Sequence, residues 1–364
     1  MHPRRNILKA LAGTVLAALS STSYPQTSPR WRMPDEGAPH ERTWMAFGAS
    51  RRIWGRKLLP EVQNNLISIA QTIAQYEPVA MLVRASDEAL LRDAFANHPN
   101  ISLFVSELDD LWVRDTGPVF VLDGAGNAAG VDFNFNGWGE KQRYNHDMHV
   151  ANYVSEQAEV TYLNSSLVLE GGGIEVDGEG TAIITESCVL NPNRNPGVSK
   201  EDCEGELKRL LGLEKIIWLP GIRGKDITDG HTDFYARFVR PGVVVAGLEP
   251  DPNTYDYEVT REHLRILQAE NDAYGRALEV VTLEAPTYIR PDFDSAEFAP
   301  GYIGFYVCNG AVLMPEFGDT RADSAALETL AKLFPTRTIE QLNIDGIAAG
   351  GGSIHCTTQQ EPQV

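Results

Sequence analysis

Residues 167–190 read LVLEGGGIEVDGEGTAIITESCVL, two apolar and β-branched runs parted by glycines. Leu167–Val176 and the run from Ala182 to Leu190 have strand character. A helical pattern follows at Ser199–Leu211, with Cys203, Leu207, Leu210 and Leu211 on one stripe, and then a strand candidate at Lys215–Leu219. Strands alternating with a helix over so short a stretch indicate an α/β chain. The alternation continues outward in both directions. Strand candidates recur at Val79–Arg84, Gly117–Leu122, Phe234–Gly247, Val280–Leu283 and Gly304–Met314. Helical periodicity recurs at Leu59–Tyr76, Asp87–Asn97, Thr260–Arg276 and Ala322–Phe334. Ser199 with Asp202, and Thr320 with Asp323, have capping-box spacing. The loosely regular spacing of the helices suits one closed domain of structural repeats. Periodicity alone leaves a doubly wound sheet open.

The chain has 364 residues, 43% of them hydrophobic and 22% charged, enough to bury a large core. Fifty acidic residues against 31 basic give a net charge of −19. Such a surface repels phosphate backbones, which argues against nucleic acid as a partner. It steers cationic small molecules inward, or it serves only solubility. No glycine-rich dinucleotide fingerprint follows a strand and no Walker loop occurs, so nucleotide sites have no support.

Residues 1–30 read as a targeting segment. The twin arginines Arg4 and Arg5 lead through Ile7, Leu8 and Lys9 into a short apolar run, Ala10 to Leu19, and then into Ser20, Ser21, Thr22 and Ser23. This order makes an export signal, and the RR-x-x-L-K spacing resembles the Tat type. The apolar run is too short for an ordinary membrane span, which needs about 20 residues. The expectation is a Tat-like signal and tail over 1–30, a single domain over 31–364, no membrane anchoring after cleavage, and a periplasmic location. Cleavage after Ser20 removes three cations, which makes the chain more acidic still.

Four cysteines are too sparse here for a disulfide scaffold. Cys203 on its helical stripe, Cys188 in a strand-like run and Cys308 before the turn Asn309-Gly310 read as structural. Cys356 differs, because it follows Gly350-Gly351-Gly352-Ser353-Ile354-His355 and belongs to no amphipathic pattern. Three further segments carry more polar detail than a core needs: Asp109 to Pro118 with Trp112 and Asp115, Leu169 to Gly173 with Glu170, and Asp229 to Asp233 with His231. Each alone reads as a turn acid or a core histidine. Together, a cysteine, a histidine and several carboxylates beside glycines are what a cysteine-nucleophile site requires. Adjacent His355 and Cys356 lack the separation of zinc motifs, and a papain-type site would leave the acids unexplained.

The segments WVRDTGP (112–118), FNFNGWG (133–139), LEGGGIEVDGEGTAIITESCVLNPNRNP (169–196), DGHTDFYARFV (229–239) and GGGSIHCTTQQEP (350–362) resemble the agmatine deiminase family. That family is similar to the bacterial peptidylarginine deiminases within the guanidine-modifying superfamily. The resemblance implies a pentein fold, a five-bladed α/β propeller of ββαβ modules around a central pocket. It implies Cys356 as nucleophile, His231 as general acid and base, Asp115 and Asp233 as guanidinium-binding carboxylates, Trp112 lining the pocket, and Glu170 holding the histidine. It implies hydrolysis of agmatine to N-carbamoylputrescine and ammonia through an amidino-cysteine, with no metal or organic cofactor. A peptidylarginine substrate is the alternative; an amidinotransferase and a polyamine-binding protein without turnover are the other classes. A homo-oligomer is compatible with all of these. Asp226, on the approach to His231, is the expected carboxylate for the amine end of the substrate. Ser353, Thr357 and Thr232 stand where the family usually has Asn, Ile and Val.

Overall fold

The computed structural model describes residues 31–293, 295 and 297–364, so the expected signal segment 1–30 lies outside the described residues. Its strands, in chain order, begin with β1 (His40–Phe47), β2 (Val79–Val83) and β3 (Ile101–Val105). They continue with β4 (Val119–Leu122), β5 (Ala128–Asp132), β6 (Thr161–Asn164), β7 (Ile174–Val176), β8 (Thr181–Thr185) and β9 (Lys215–Leu219). The rest are β10 (Ala236–Arg240), β11 (Val243–Leu248), β12 (Glu279–Glu284), β13 (Tyr306–Cys308), β14 (Ala311–Glu316), β15 (Thr338–Asn343) and β16 (Thr358–Pro362).

These strands build five small sheets of one design. In each, a strand pairs antiparallel with the next, a helix crosses over, and a further strand returns parallel. Residues 174–219 are one such unit: β7 and β8 form a hairpin, Lys200–Leu211 crosses over, and β9 pairs parallel to β8. β4–β5–β6, β10–β11–β12 and β13–β14–β15 repeat it around helices Val150–Gln157, Tyr257–Ala269 and Thr320–Leu333. The fifth unit joins the ends of the chain. β16 pairs antiparallel with β1, helix Arg51–Ile73 crosses to β2, and β3 adds at the edge. Five separate sheets exclude the doubly wound alternative; the architecture is the pentein α/β propeller.

Burial follows position in the unit. The middle strands β5 and β8 are buried along their whole length, and the outer strands β6 and β15 are largely exposed or half-buried. A middle strand covered on both faces needs an unbroken apolar run, and an edge strand does not. Phe234–Gly247 and Gly304–Met314 prove to be hairpins, the second turning at Asn309–Gly310 with Gly310 at φ +81°. Ser199 caps its helix, its Oγ accepting from the Asp202 amide at 3.1 Å. At Thr320 the cap lies one residue earlier: Asp319 Oδ1 accepts from Ala322 N at 3.1 Å, while Asp323 receives the Tyr302 hydroxyl and the amides of Phe317 and Gly318.

The unit also explains where function can sit. Asp115 lies four residues before β4, Glu170 four before β7, Asp233 three before β10, and Cys356 two before β16. Each occupies the turn that enters the first strand of a different unit, and these turns pack against one another. Residues 241 positions apart, Asp115 and Cys356, thereby line one cavity.

Candidate active site

The cavity has a volume of about 230 Å³ and is walled by Trp54, Trp112 and Trp138, with Asp115, His231 and Cys356 among its lining. Cys356 sits on a 3₁₀ turn, His355–Thr357, and its Sγ lies 3.7 Å from Asp233 Oδ2. Burial, with Asp233 and Asp115 adding to it, pushes the thiol well above its usual range. The free protein therefore holds a thiol, and a cation is needed to favour the thiolate.

Glu170 is fully buried, and both its oxygens accept from Arg194 Nε at 2.9 Å. Its Oε2 lies 3.1 Å from His231 Nε2. Burial alone would raise this carboxyl, but Arg194 and His231 hold it below the ordinary range. On the other side of the ring, Nδ1 stands 3.8 Å from Asp115 Oδ1 and 3.9 Å from Asp233 Oδ1. Burial opposes charge on His231, yet Asp115, Cys188 and Glu170 outweigh it and raise its pKa well above normal. This shift favours the imidazolium, the form that can donate.

Asp115 Oδ2 accepts from Trp138 Nε1 at 2.9 Å and Oδ1 from the Gly172 amide at 3.1 Å. Burial, with Asp233 and Glu170 adding like charge, brings its pKa up to about 6. Asp233 Oδ2 faces His355 Nδ1 at 2.7 Å, whereas Asp233 Oδ1 is buried with no hydrogen-bond partner. An orphaned carboxylate oxygen in a closed site costs about 1–3 kcal/mol unless a donor fills it. Oδ1 is thus the natural seat for an incoming N–H.

Two glycines keep this geometry open. A Cβ on Gly172 would stand 2.6 Å from His231 Nδ1 and 2.8 Å from Asp115 Oδ1. One on Gly352 would lie 2.2 Å from the Trp112 ring. Gly172→Ala is expected to keep the fold but lower kcat/KM by about 100-fold, since misplacing reacting groups by an ångström has effects of that size. Melting temperature together with ammonia release checks this; near-normal turnover would contradict the geometry.

Asp115, Glu170, His231, Asp233, Cys356 and Trp112 all converge here. Asp226 does not line this cavity. Its Oδ1 accepts from Thr228 N and Gly230 N, holding the turn before His231, and its side chain lines the neighbouring cavity. Cys188, expected to be a strand residue with a structural role, instead lies on the short helix Glu186–Val189 with Sγ 3.6 Å from Glu170 Oε2. Among the described residues, Glu170, Cys188 and His231 form one trio with ligand atoms close enough for a metal. Arg194 already takes both oxygens of Glu170, so a cation occupies that role. All four cysteines are free and buried.

Sequence reasoning missed the support beneath the site. His355 Nε2 lies 2.9 Å from Glu36 Oε2, and Glu36 also pairs with Arg114 at 3.1 Å and Arg237 at 2.8 Å. Asp110 receives Trp54 Nε1 at 2.7 Å and Trp112 Nε1 at 3.0 Å, fixing two walls of the cavity. The three departures from the family pattern are satisfied by backbone carbonyls: Ser353 bonds Gly304, Thr232 bonds Gly173, and Thr357 bonds Ile354.

The profile of the Porphyromonas-type peptidyl-arginine deiminases matches residues 32–362. The chain belongs to this family. An agmatine deiminase of Pseudomonas aeruginosa is 37% identical over 365 residues, covering 93% of this chain and 98% of that protein. A Streptomyces coelicolor protein is 43% identical over 341 residues, covering 92% and 99%. The solved agmatine deiminase of Enterococcus faecalis superposes with a TM-score of 0.86 at 34% identity, covering 92% of this chain and 96% of that one.

Proposed function

We propose that the chain hydrolyses agmatine to N-carbamoylputrescine and ammonia through an amidino adduct on Cys356. The observation that carries this is the charge of the cavity. Carboxylates from Asp110, Asp115 and Glu297 line it, Asp233 Oδ1 waits unpartnered beside it, and among the described residues no arginine or lysine lines it. Arg114, Arg194 and Arg237, the arginines of the matched segments, are all engaged by buried acids. A guanidinium fits this cavity; a substrate carboxylate finds no partner in it.

Asp115 and Asp233 pair with guanidinium N–H groups and present the central carbon to Cys356. The bound cation lowers the thiol pKa, the proton leaves to solvent, and the thiolate attacks. As the C–N bond of the terminal nitrogen breaks, His231 gives that nitrogen its proton and ammonia departs. His231, now neutral, takes a proton from the water that attacks the amidino carbon. The C–S bond then breaks, releasing the substituted urea. Glu170, held by Arg194, keeps the imidazole in place and supports its charged form. Glu297, without a hydrogen bond or ion pair among the described residues, stands at the rim for the ammonium end. Equal yields of N-carbamoylputrescine and ammonia, with no amine acceptor present, are the expected outcome. Urea with putrescine, or a requirement for an acceptor, would contradict it.

The pH profile follows from Asp115. Its pKa near 6 means that it gains a proton, and loses its hold on the guanidinium, as pH falls through that value. His231, raised well above its ordinary value, keeps its proton through the same range. kcat/KM, which reports groups of the free enzyme, should therefore fall below about pH 6. A profile flat down to about pH 4, the ordinary carboxylate range, would show that Asp115 is not the binding group.

Arg4, Arg5 and the apolar run behind them support export of the folded enzyme to the periplasm. Among the described residues no helix is long and apolar enough to cross a membrane. Fractionation of cells expressing the native chain and an Arg4→Lys, Arg5→Lys variant tests this. Retention of only the variant in the cytoplasm is expected; equal retention of both would reject the export reading.

A further inference from the structure

Next to the catalytic cavity lies a second one, of about 190 Å³, lined mainly from residues 225–227, 234–235, 247–249, 255–256 and 297–303. The two share Ile227, Phe234, Glu297, Gly350 and Gly351 as a common wall. Asp226, Glu249, Asp256 and Glu297 give the second cavity four carboxylates, and among the described residues Lys225 is the one basic residue of its lining. That lysine lies over the Tyr255 ring, 5.8 Å from its centroid, and makes no ion pair with these acids. Acids in a hollow do not by themselves make a site, since solvent can screen them. The observation that points to a ligand is Tyr235. It is 4% exposed and lines this cavity, and its hydroxyl has no hydrogen-bond partner among the described residues. Tyr302, in the same lining, already donates to Asp323 at 2.8 Å. The hydroxyl opens into the cavity, and a phenol so nearly enclosed is ordinarily paired. Asp256 is half-buried and forms no ion pair among the described residues, and burial with Glu249 and Asp226 beside it brings its carboxyl up to about 6, a charge that a cation would relieve.

We propose that this side cavity is a second binding site, for a linear aliphatic ammonium such as that of a diamine. The ammonium sits between Asp256, Asp226 and the Tyr235 oxygen, and its methylenes lie along Phe234 and Tyr255, as cations and alkyl chains do against aromatic faces. The shared wall gives the site a consequence. A cation there engages Glu297 from behind and places positive charge beside the ammonium end of the substrate. It weakens substrate binding without touching Cys356 or His231, so KM rises and kcat does not. Because substrate and diamine can be bound together, the effect levels off.

The test is ammonia release from agmatine by the full chain, with 1,4-diaminobutane added at constant ionic strength. For the native protein, KM should climb to a plateau at unchanged kcat. Tyr235→Phe with Asp256→Asn should show native KM and kcat without the diamine. It should need about tenfold more diamine to respond, the loss expected when an ion-pair partner is removed. Tyr235→Phe keeps the ring that packs edge-on against His263, and Asp256→Asn alone serves if the pair folds poorly. A KM that rises without limit would place the diamine in the catalytic cavity and overturn the proposal. An unchanged response in the variants, or an equal response to sodium chloride, would also overturn it. Calorimetry of 1,4-diaminobutane with Cys356→Ser and with Cys356→Ser, Asp256→Asn keeps the two claims separate. A tenfold difference there supports the site even if agmatine is not turned over, and no difference rejects it.

Discussion

Cys356→Ser is expected to bind agmatine as well as the native protein does and to lose turnover by about 10³-fold or more. In the proposed mechanism Asp115 and Asp233 hold the guanidinium, and neither depends on the sulfur: Asp115 is fixed by Trp138 and Gly172, and Asp233 by His355. What the substitution removes is the nucleophile. A hydroxyl beside two carboxylates cannot ionise near neutral pH, and the imidazolium of His231 cannot take its proton. Calorimetric binding together with ammonia release separates the two effects. Loss of binding with the turnover would mean that the sulfur holds the ground state, and retention of several per cent of activity would mean that no covalent step occurs.

The second large effect is selectivity for agmatine over free arginine, expected at about 100-fold or more in kcat/KM, from a carboxylate that meets like charges and no partner. Among the described residues the cavity lining holds Asp110, Asp115 and Glu297 and no basic residue other than His231, which the guanidinium end approaches in the proposed mechanism. Surface charge adds steering: a chain at −19 attracts dicationic agmatine more than zwitterionic arginine. That part is screened as the Debye length falls below about 10 Å near 0.1 M salt, so the ratio should shrink with salt but persist. Parallel assays on agmatine, free arginine and a peptidyl arginine measure it. Comparable rates on arginine, or faster turnover of the peptide, would overturn the substrate assignment.

What the sequence revealed, and what it hid, follows from how each group is held. The middle strands β8, β11 and β14 were legible because burial on both faces demands apolar runs such as Thr181–Thr185. The strands β1, β3, β5, β6, β15 and β16 were not: Thr358–Pro362 reads TQQEP, yet it is buried because Gln360 and Glu361 meet Arg114 and Trp44. The matched motifs brought all the groups proposed for catalysis to one cavity, since glycine-flanked polar residues at strand entrances leave a local trace. Glu36 left none. It stands 319 residues from His355 and becomes part of the site only when the ring closes. Cys188 is core, as its apolar neighbourhood indicates, but it stands on the short helix Glu186–Val189 and not on a strand, and only the structure shows its sulfur against Glu170. Asp226 had the right charge in the right segment, but its backbone contacts turn it towards the neighbouring cavity.

The most direct measurement of the account is the mass of the protein quenched in acid while it turns over agmatine. A fraction of the chains should carry agmatine less one ammonia, mapped by peptide analysis to Cys356 and absent from Cys188, Cys203 and Cys308. Full turnover with no adduct on Cys356 at any quench time, while His231→Gln also accumulates none, would contradict the covalent route.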